Sequence, residues 1–303
     1  MSLHSSLIAV TAGVVVAVAS GAAAFEDLHA SVAKVEKLAG EFSFTEGPTA
    51  DAAGNVFFTD QPNDRILKWS VDGKLSTFLQ PAGRSNGMYF DRDGKLITCA
   101  DEKNELWSIA KDGKVTVIWK DYEGKKLNGP NDVWVHPSGS LYFTDPFYKR
   151  PWWTHDAPPQ GGQHLYRLSA NRKTLTRVAT DLEQPNGIIG SPDGKTLYVA
   201  DIKAGKTYAY DIAKDGSLAG KRVHCALGSD GMTLDQEGNL YLTGKGGVHV
   251  FDKAGQEIQV FDVPEDWTAN VSFGGPDHRT LFITASKGLY AVRLRVKGAN
   301  AAK

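Results

Sequence analysis

The sequence predicts an all-β fold, a six-bladed β-propeller closed around a central channel. Three observations predict it: a turn-and-strand unit repeated six times, turn positions 40 to 55 residues apart, and an oxygen-bearing side chain at one fixed place in every repeat. The first unit reads Gly54-Asn55-Val56-Phe57-Phe58-Thr59-Asp60. The fourth reads Asp193-Gly194-Lys195-Thr196-Leu197-Tyr198-Val199-Ala200-Asp201. Each is a hairpin turn feeding a β-branched and aromatic strand that ends in small polar residues. The turn glycines fall at 54, 94, 139, 194 and 238, and His278 takes the sixth place.

After each such strand comes another alternating one, such as Arg65-Ile66-Leu67-Lys68-Trp69, and then a second turn such as Asp72-Gly73. Four short antiparallel strands per repeat follow. Six repeats close a ring without exposed sheet edges. A strand from the Val32 to Phe44 stretch is expected to complete the last blade, leaving a short basic tail after Val296. A linear β-solenoid is the alternative, but its repeats are shorter and more regular. The longest interval holds a Pro-, Trp- and Gly-rich insertion, Phe147 to Gln163, read either as cover for a site or as a surface loop with its aromatics packed down.

The N-terminus is read apart from the fold. An uncharged apolar run from Leu7 to Ala19 leads into Ser20-Gly21-Ala22-Ala23-Ala24, the pattern of a secretory signal over residues 1–24 with a mature start at Phe25. No Lys or Arg precedes the run, so an uncleaved anchor is the alternative. No other stretch approaches the roughly 18 apolar residues of a membrane span. The expectation is a protein exported to the periplasm or medium, with residues 25–303 as a single propeller domain and no membrane association once the signal is removed. The 34 Lys and Arg against 35 Asp and Glu are spread along the chain, which argues against nucleic acid as a partner and for a small molecule. Cys99 and Cys225 are too few to staple a fold and read as buried free thiols, with oxidation as the alternative.

Eight residues before each turn position stand Glu46, Asn86, Asn131, Asn186, Asp230 and Asn270. All six carry a side-chain carbonyl or carboxylate oxygen. They open the strand that lines the channel, so they form a ring around its axis. Such residues are disfavoured inside strands. One account is that Asn-Gly and Asp-Gly are turns at the channel mouth, although Glu46-Gly47-Pro48 and Asn131-Asp132 do not fit it. A ring of oxygens without sulfur or imidazole suits one hard divalent cation, Ca²⁺ ahead of Mg²⁺. Zinc is disfavoured because no His or Cys shares the register.

The motifs Glu46-Gly47-Pro48, Leu127-Asn128-Gly129-Pro130-Asn131-Asp132, Gln184-Pro185-Asn186-Gly187 and Ser229-Asp230-Gly231-Met232 resemble those of the senescence marker protein, gluconolactonase and regucalcin family. The resemblance runs from Glu46 to about Leu294 and is greatest to the bacterial gluconolactonases. It implies a propeller with a catalytic divalent ion held by Glu46, Asn186 and Asp230, with Asn131 as a further ligand or substrate contact. Asn86 and Asn270 would then lie behind the ligands or face the substrate. One departure is Gly129, where animal members carry an Arg. The implied reaction is hydrolysis of a small sugar lactone, the ion polarising the carbonyl and Asp230 activating water or attacking directly. Mg²⁺, Mn²⁺ or Zn²⁺ could replace Ca²⁺ in an assay. An organophosphate or other ester hydrolase using the same ion, and a non-enzymatic calcium-binding or scaffold propeller, are the alternatives. No Gly-x-Ser-x-Gly elbow supports a serine hydrolase.

Overall fold

The β-branched and aromatic runs pair into six antiparallel four-stranded sheets in a computed structural model of the chain, which describes residues 34–299. The expected export signal lies outside the described residues. Blade one comprises Thr45–Ala50, Val56–Asp60, Arg65–Trp69 and Leu75–Leu79, in that order outward from the axis. The innermost strands of the six blades touch in sequence order, and the sixth, Thr268–Gly274, returns to the first. That contact closes the ring of an all-β, six-bladed propeller.

Blades stack face to face, so a second strand is covered on both sides and its sequence is a continuous apolar run. Val56–Asp60, Leu96–Ala100 and Leu141–Asp145 are buried at every residue. The outermost Leu75–Leu79 and Val115–Trp119 are largely exposed or half-buried. The core is therefore a set of wedges between neighbouring blades. Trp134 and Tyr142 of the third blade pack with Ile188 and Leu197 of the fourth and Met232 and Leu240 of the fifth. Each fully buried side chain of this kind contributes roughly 1.5–3 kcal/mol of transfer free energy.

Both ends of the described chain are tied into the ring. Glu36–Ala39 pairs with Gly288–Arg293 as the outer strand of the sixth blade, as expected for the stretch before Phe44. The described start of the basic tail expected after Val296, residues 297–299, is held on the ring: Gly298 forms a bridge with Asp235, and the Ala299 amide donates to the Leu234 carbonyl. Val296 is itself buried, and this apolar contact draws the tail onto the fifth blade. Cys99 and Cys225 are free and buried.

The repeat register is visible in the backbone. Gly54, Gly94, Gly139, Gly194 and Gly238 all have positive φ, and His278 takes the same conformation at φ 55°. At the inner end of each blade, four of the six strands carry a bulge or irregularity, for example between Glu46 and Thr49 and between Pro185 and Ile188. A bulge re-aims a side chain, and here it sits at the ring residue.

The ring dipeptides are thus not turns at the channel mouth. The glycine that follows a ring residue lies against the ring residue of the next blade: a Cβ on Gly47 would come within 2.1 Å of the Asn86 carbonyl oxygen. A Cβ on Gly231 would come within 1.9 Å of the Asn270 amide carbon. Gly47→Ala is expected to lower the unfolding free energy by about 2 kcal/mol or more, because its obstacle is backbone. Gly124→Ala, also at positive φ but with nothing within 4 Å, is the control and should lose clearly less; urea denaturation measures both.

Candidate active site

Five of the six ring residues, Glu46, Asn86, Asn131, Asn186 and Asp230, line one cavity of about 370 Å³. Asn270 is not among its lining residues. Its amide oxygen accepts the Val271 amide at 2.8 Å, and its side chain packs on Gly231 and hydrogen-bonds Asp132. It supports the ring from behind.

Three aspartates explain how the ring segments are held. Asp60, Asp145 and Asp201 each end the second strand of a blade and are buried. Asp60 accepts the Ser43 and Phe44 amides, Asp145 those of Asn128 and Gly129, and Asp201 those of Glu183 and Gln184. Each carboxylate therefore clamps the segment leading to Glu46, Asn131 or Asn186. Threonines add ties between blades, as where Thr144 Oγ1 donates to the Asn186 carbonyl at 2.7 Å.

The electrostatics of the cavity follow from burial. Glu46 accepts the Gly47 amide at 3.0 Å, but desolvation, joined by the Asp230 charge, pushes its carboxyl well above the usual range. Burial also raises Asp230, against hydrogen bonds from Trp267 and Asn186. The Trp267 Nε1 donates to Asp230 Oδ2 at 2.7 Å. Asp132, beside the ring, is raised to about 7 by burial. Among the described residues, neither Glu46 nor Asp230 forms an ion pair with a basic side chain. The Asn186 Nδ2 donates to Tyr148 Oη at 2.9 Å, while Asn186 Oδ1 is buried without a hydrogen-bond partner.

The insertion after Asp145 proves to be both things considered for it. Trp153 is packed down at 7% exposure, stacked on His155, with its Nε1 donating to the Asp101 carbonyl. Tyr148 and Arg150 instead line the cavity. Asn128 ties the loop in place: its Nδ2 donates to the Asp145 and Gly162 carbonyls and its Oδ1 accepts the Gln160 amide.

Residues 44–287 match the family described as the SMP-30/gluconolactonase/LRE-like region. The chain belongs to this family. It is 31% identical over 297 residues to the gluconolactonase of Zymomonas mobilis subsp. mobilis, covering 87% of this chain and 82% of that protein. It is 27% identical over 250 residues to the pentonolactonase XacC of Haloferax volcanii, covering 75% and 79%. The solved structure of XC5397 from Xanthomonas campestris, described as a gluconolactonase, matches with a TM-score of 0.83 at 29% identity, over 88% of this chain and 91% of that one. These similarities make the protein a lactonase.

Sequence reasoning missed several residues of the lactonase cavity: Phe44, Gln61, Tyr148, Arg150, Gln184, Lys203 and Trp267. Phe44 and Gln184 stand two residues before Glu46 and Asn186, a spacing the register could have shown, whereas Trp267, three before Asn270, falls outside it. Trp267 is 46% exposed, as befits a residue at the rim. Trp267→Phe keeps the ring but removes the donor to Asp230. A hydrogen bond to a charged group is worth roughly 1.5–3 kcal/mol, so kcat/KM on a lactone should fall about 10- to 100-fold with the fold retained, as read by steady-state kinetics and circular dichroism.

Proposed function

We propose that this lactonase opens a small sugar lactone of the gluconolactone kind, using one divalent cation, by preference Ca²⁺, held by Glu46, Asn131, Asn186 and Asp230. The observation that carries the reading is Asn186 Oδ1, a buried carbonyl oxygen without a hydrogen-bond partner, in a cavity that also holds two carboxylates with no basic partner among the described residues. Buried oxygens left so are costly, and a cation relieves all of them at once. All the donors are oxygen, which suits a hard ion. Among the described residues no three His, Cys, Asp or Glu side chains are placed to hold a metal ion together, so the site relies on amide oxygens beside the two carboxylates.

When bound, such a cation supplies a Lewis acid that makes a lactone carbonyl more electrophilic. The protein's own groups do the rest. The Trp267 indole occupies Asp230 Oδ2, leaving Oδ1 to take a proton from the attacking water. The amides of Asn86 and Asn131 orient the substrate's oxygens. The water oxygen bonds to the carbonyl carbon, the acyl carbon to ring-oxygen bond breaks, and the proton passes to the ring oxygen, giving the open-chain hydroxy acid. We also propose that the chain is exported and cleaved, on the strength of the Leu7 to Ala24 segment; mass spectrometry of protein from the cell envelope is expected to show Phe25 as the first residue, an intact Met1 there would overturn the cleavage, and recovery from the cytosol alone would overturn the export.

Chelator-stripped protein is expected to lose at least about 100-fold in kcat on an aldonolactone and to regain it with Ca²⁺, tested beside Mg²⁺, Mn²⁺ and Zn²⁺. Asp230→Asn, supplied with the same ion, should stay roughly 10²- to 10⁴-fold down, the range for a lost general base. Full activity after stripping removes the cation from the mechanism. Full activity in Asp230→Asn removes the base, and faster turnover of a phosphotriester than of any lactone would replace the substrate class.

A further inference from the structure

We infer that Arg150 selects the substrate of this lactonase, its two terminal Nη nitrogens gripping a pair of adjacent oxygens on the lactone, away from the carbonyl that reacts. The inference rests on the reaction proposed above and names what that cavity recognises. Arg150 lines the same cavity as Glu46 and Asp230, yet among the described residues it forms an ion pair with neither. The guanidinium and the carboxylates are thus left to act on a ligand in the cavity of about 370 Å³ that they share.

The guanidinium is built in. Its Nε donates to Asp101 Oδ2 at 2.8 Å, and the Asp101 side chain is 3% exposed. Asp101 also accepts Gln61 Nε2 at 3.0 Å. Where Asp60, Asp145 and Asp201 end their strands and clamp backbone amides, the second blade has Ala100, and its carboxylate comes one residue later. Displaced by that residue, Asp101 holds a side chain of the insertion instead of its own blade's backbone. Arg150 also lies 5.6 Å from the Tyr148 ring centroid and 5.9 Å from that of Trp152, which fixes its plane. With Nε taken, Nη1 and Nη2 have no hydrogen-bond partner in the protein among the described residues and are not buried, in a side chain that lines the cavity, so they are free to meet a ligand there.

Gly129 completes the arrangement. A Cβ there would lie 2.4 Å from Trp153 Cη2 and 3.1 Å from Asp101 Oδ1. The bare backbone at 129 admits the Trp153 ring, which anchors the loop three residues after Arg150. A planar fork held at one edge, with two parallel donors presented at the other, matches paired acceptor oxygens. Vicinal hydroxyls of an aldonolactone and the carboxylate of an aldarolactone both offer that pair; an unsubstituted δ-lactone offers neither.

The test compares these three lactones on the metal-loaded protein, its Arg150→Lys variant, and the Arg150→Met/Asp101→Asn double variant, which removes both partners of the buried pair and leaves no unpaired charge. The ratio of kcat/KM for the substituted over the unsubstituted lactone is expected to fall about 10- to 100-fold in both, carried by KM rather than kcat. Whichever substituted lactone loses more identifies the source of the oxygens. Added guanidinium should restore part of the loss in an Arg150→Ala variant. A ratio unchanged in Arg150→Lys and in a folded double variant overturns the inference, as does an equal loss on all three substrates. If the unaltered protein opens no lactone, the proposed reaction fails, and calorimetry with the open-chain aldonate then tests Arg150 alone: weaker binding to the variants supports it, and equal or no binding overturns it.

Discussion

The rest of this structure depends on the close approach of six innermost strands around one axis. Strands ordinarily keep side chains between neighbouring backbones, and at the axis there is no room for them. A glycine after Glu46, Asn86, Asn186 and Asp230 removes the Cβ, so four of the six blades rest directly on the ring segment of the next. The same close packing, completed where the sixth innermost strand meets the first, brings five polar side chains onto one cavity. Fold and site are thus the same packing solution, which is why the motifs that resemble the family all lie at the inner ends of blades.

Burial of carboxylates divides into three uses. Asp60, Asp145 and Asp201 accept backbone amides and hold the segments that enter the ring, Asp60 pairing with Arg65 of its own blade as well. Glu46 and Asp230 are deliberately under-satisfied in protein terms: each is raised by desolvation, and neither has a basic partner among the described residues. An unpaired buried charge is expensive unless something else neutralises it, so the first group reads as architecture and the second as chemistry. Asp101 belongs to a third kind, its charge matched by an arginine from the insertion.

Much of this was legible along the chain. The turn glycines, the apolar second strands and the oxygen at one place per repeat are local signals, and each was realised, including the sixth turn at His278 with its left-handed backbone. The strand before Phe44 was legible because six blades of four strands need one more strand than the last repeat contains. The tail after Val296 was legible only as a short basic segment, since the bridge from Gly298 to Asp235 depends on a partner some sixty residues earlier that no local pattern announces. Asn270 shared the register of the ring but not its role, because its side chain turns behind Gly231.

What the sequence by itself determined is the propeller, its closure and the identity of the ring residues, for these follow from periodicity, and periodicity survives without coordinates. What only the tertiary structure decided is the wall opposite the ring: Tyr148 beside Asn186, Trp267 on Asp230, and Arg150 held by Asp101. Those partners come from other blades or from the insertion, at separations with no fixed spacing. Their geometry arises from packing, above all from Trp153 filling the space that Gly129 leaves, and no repeat encodes it.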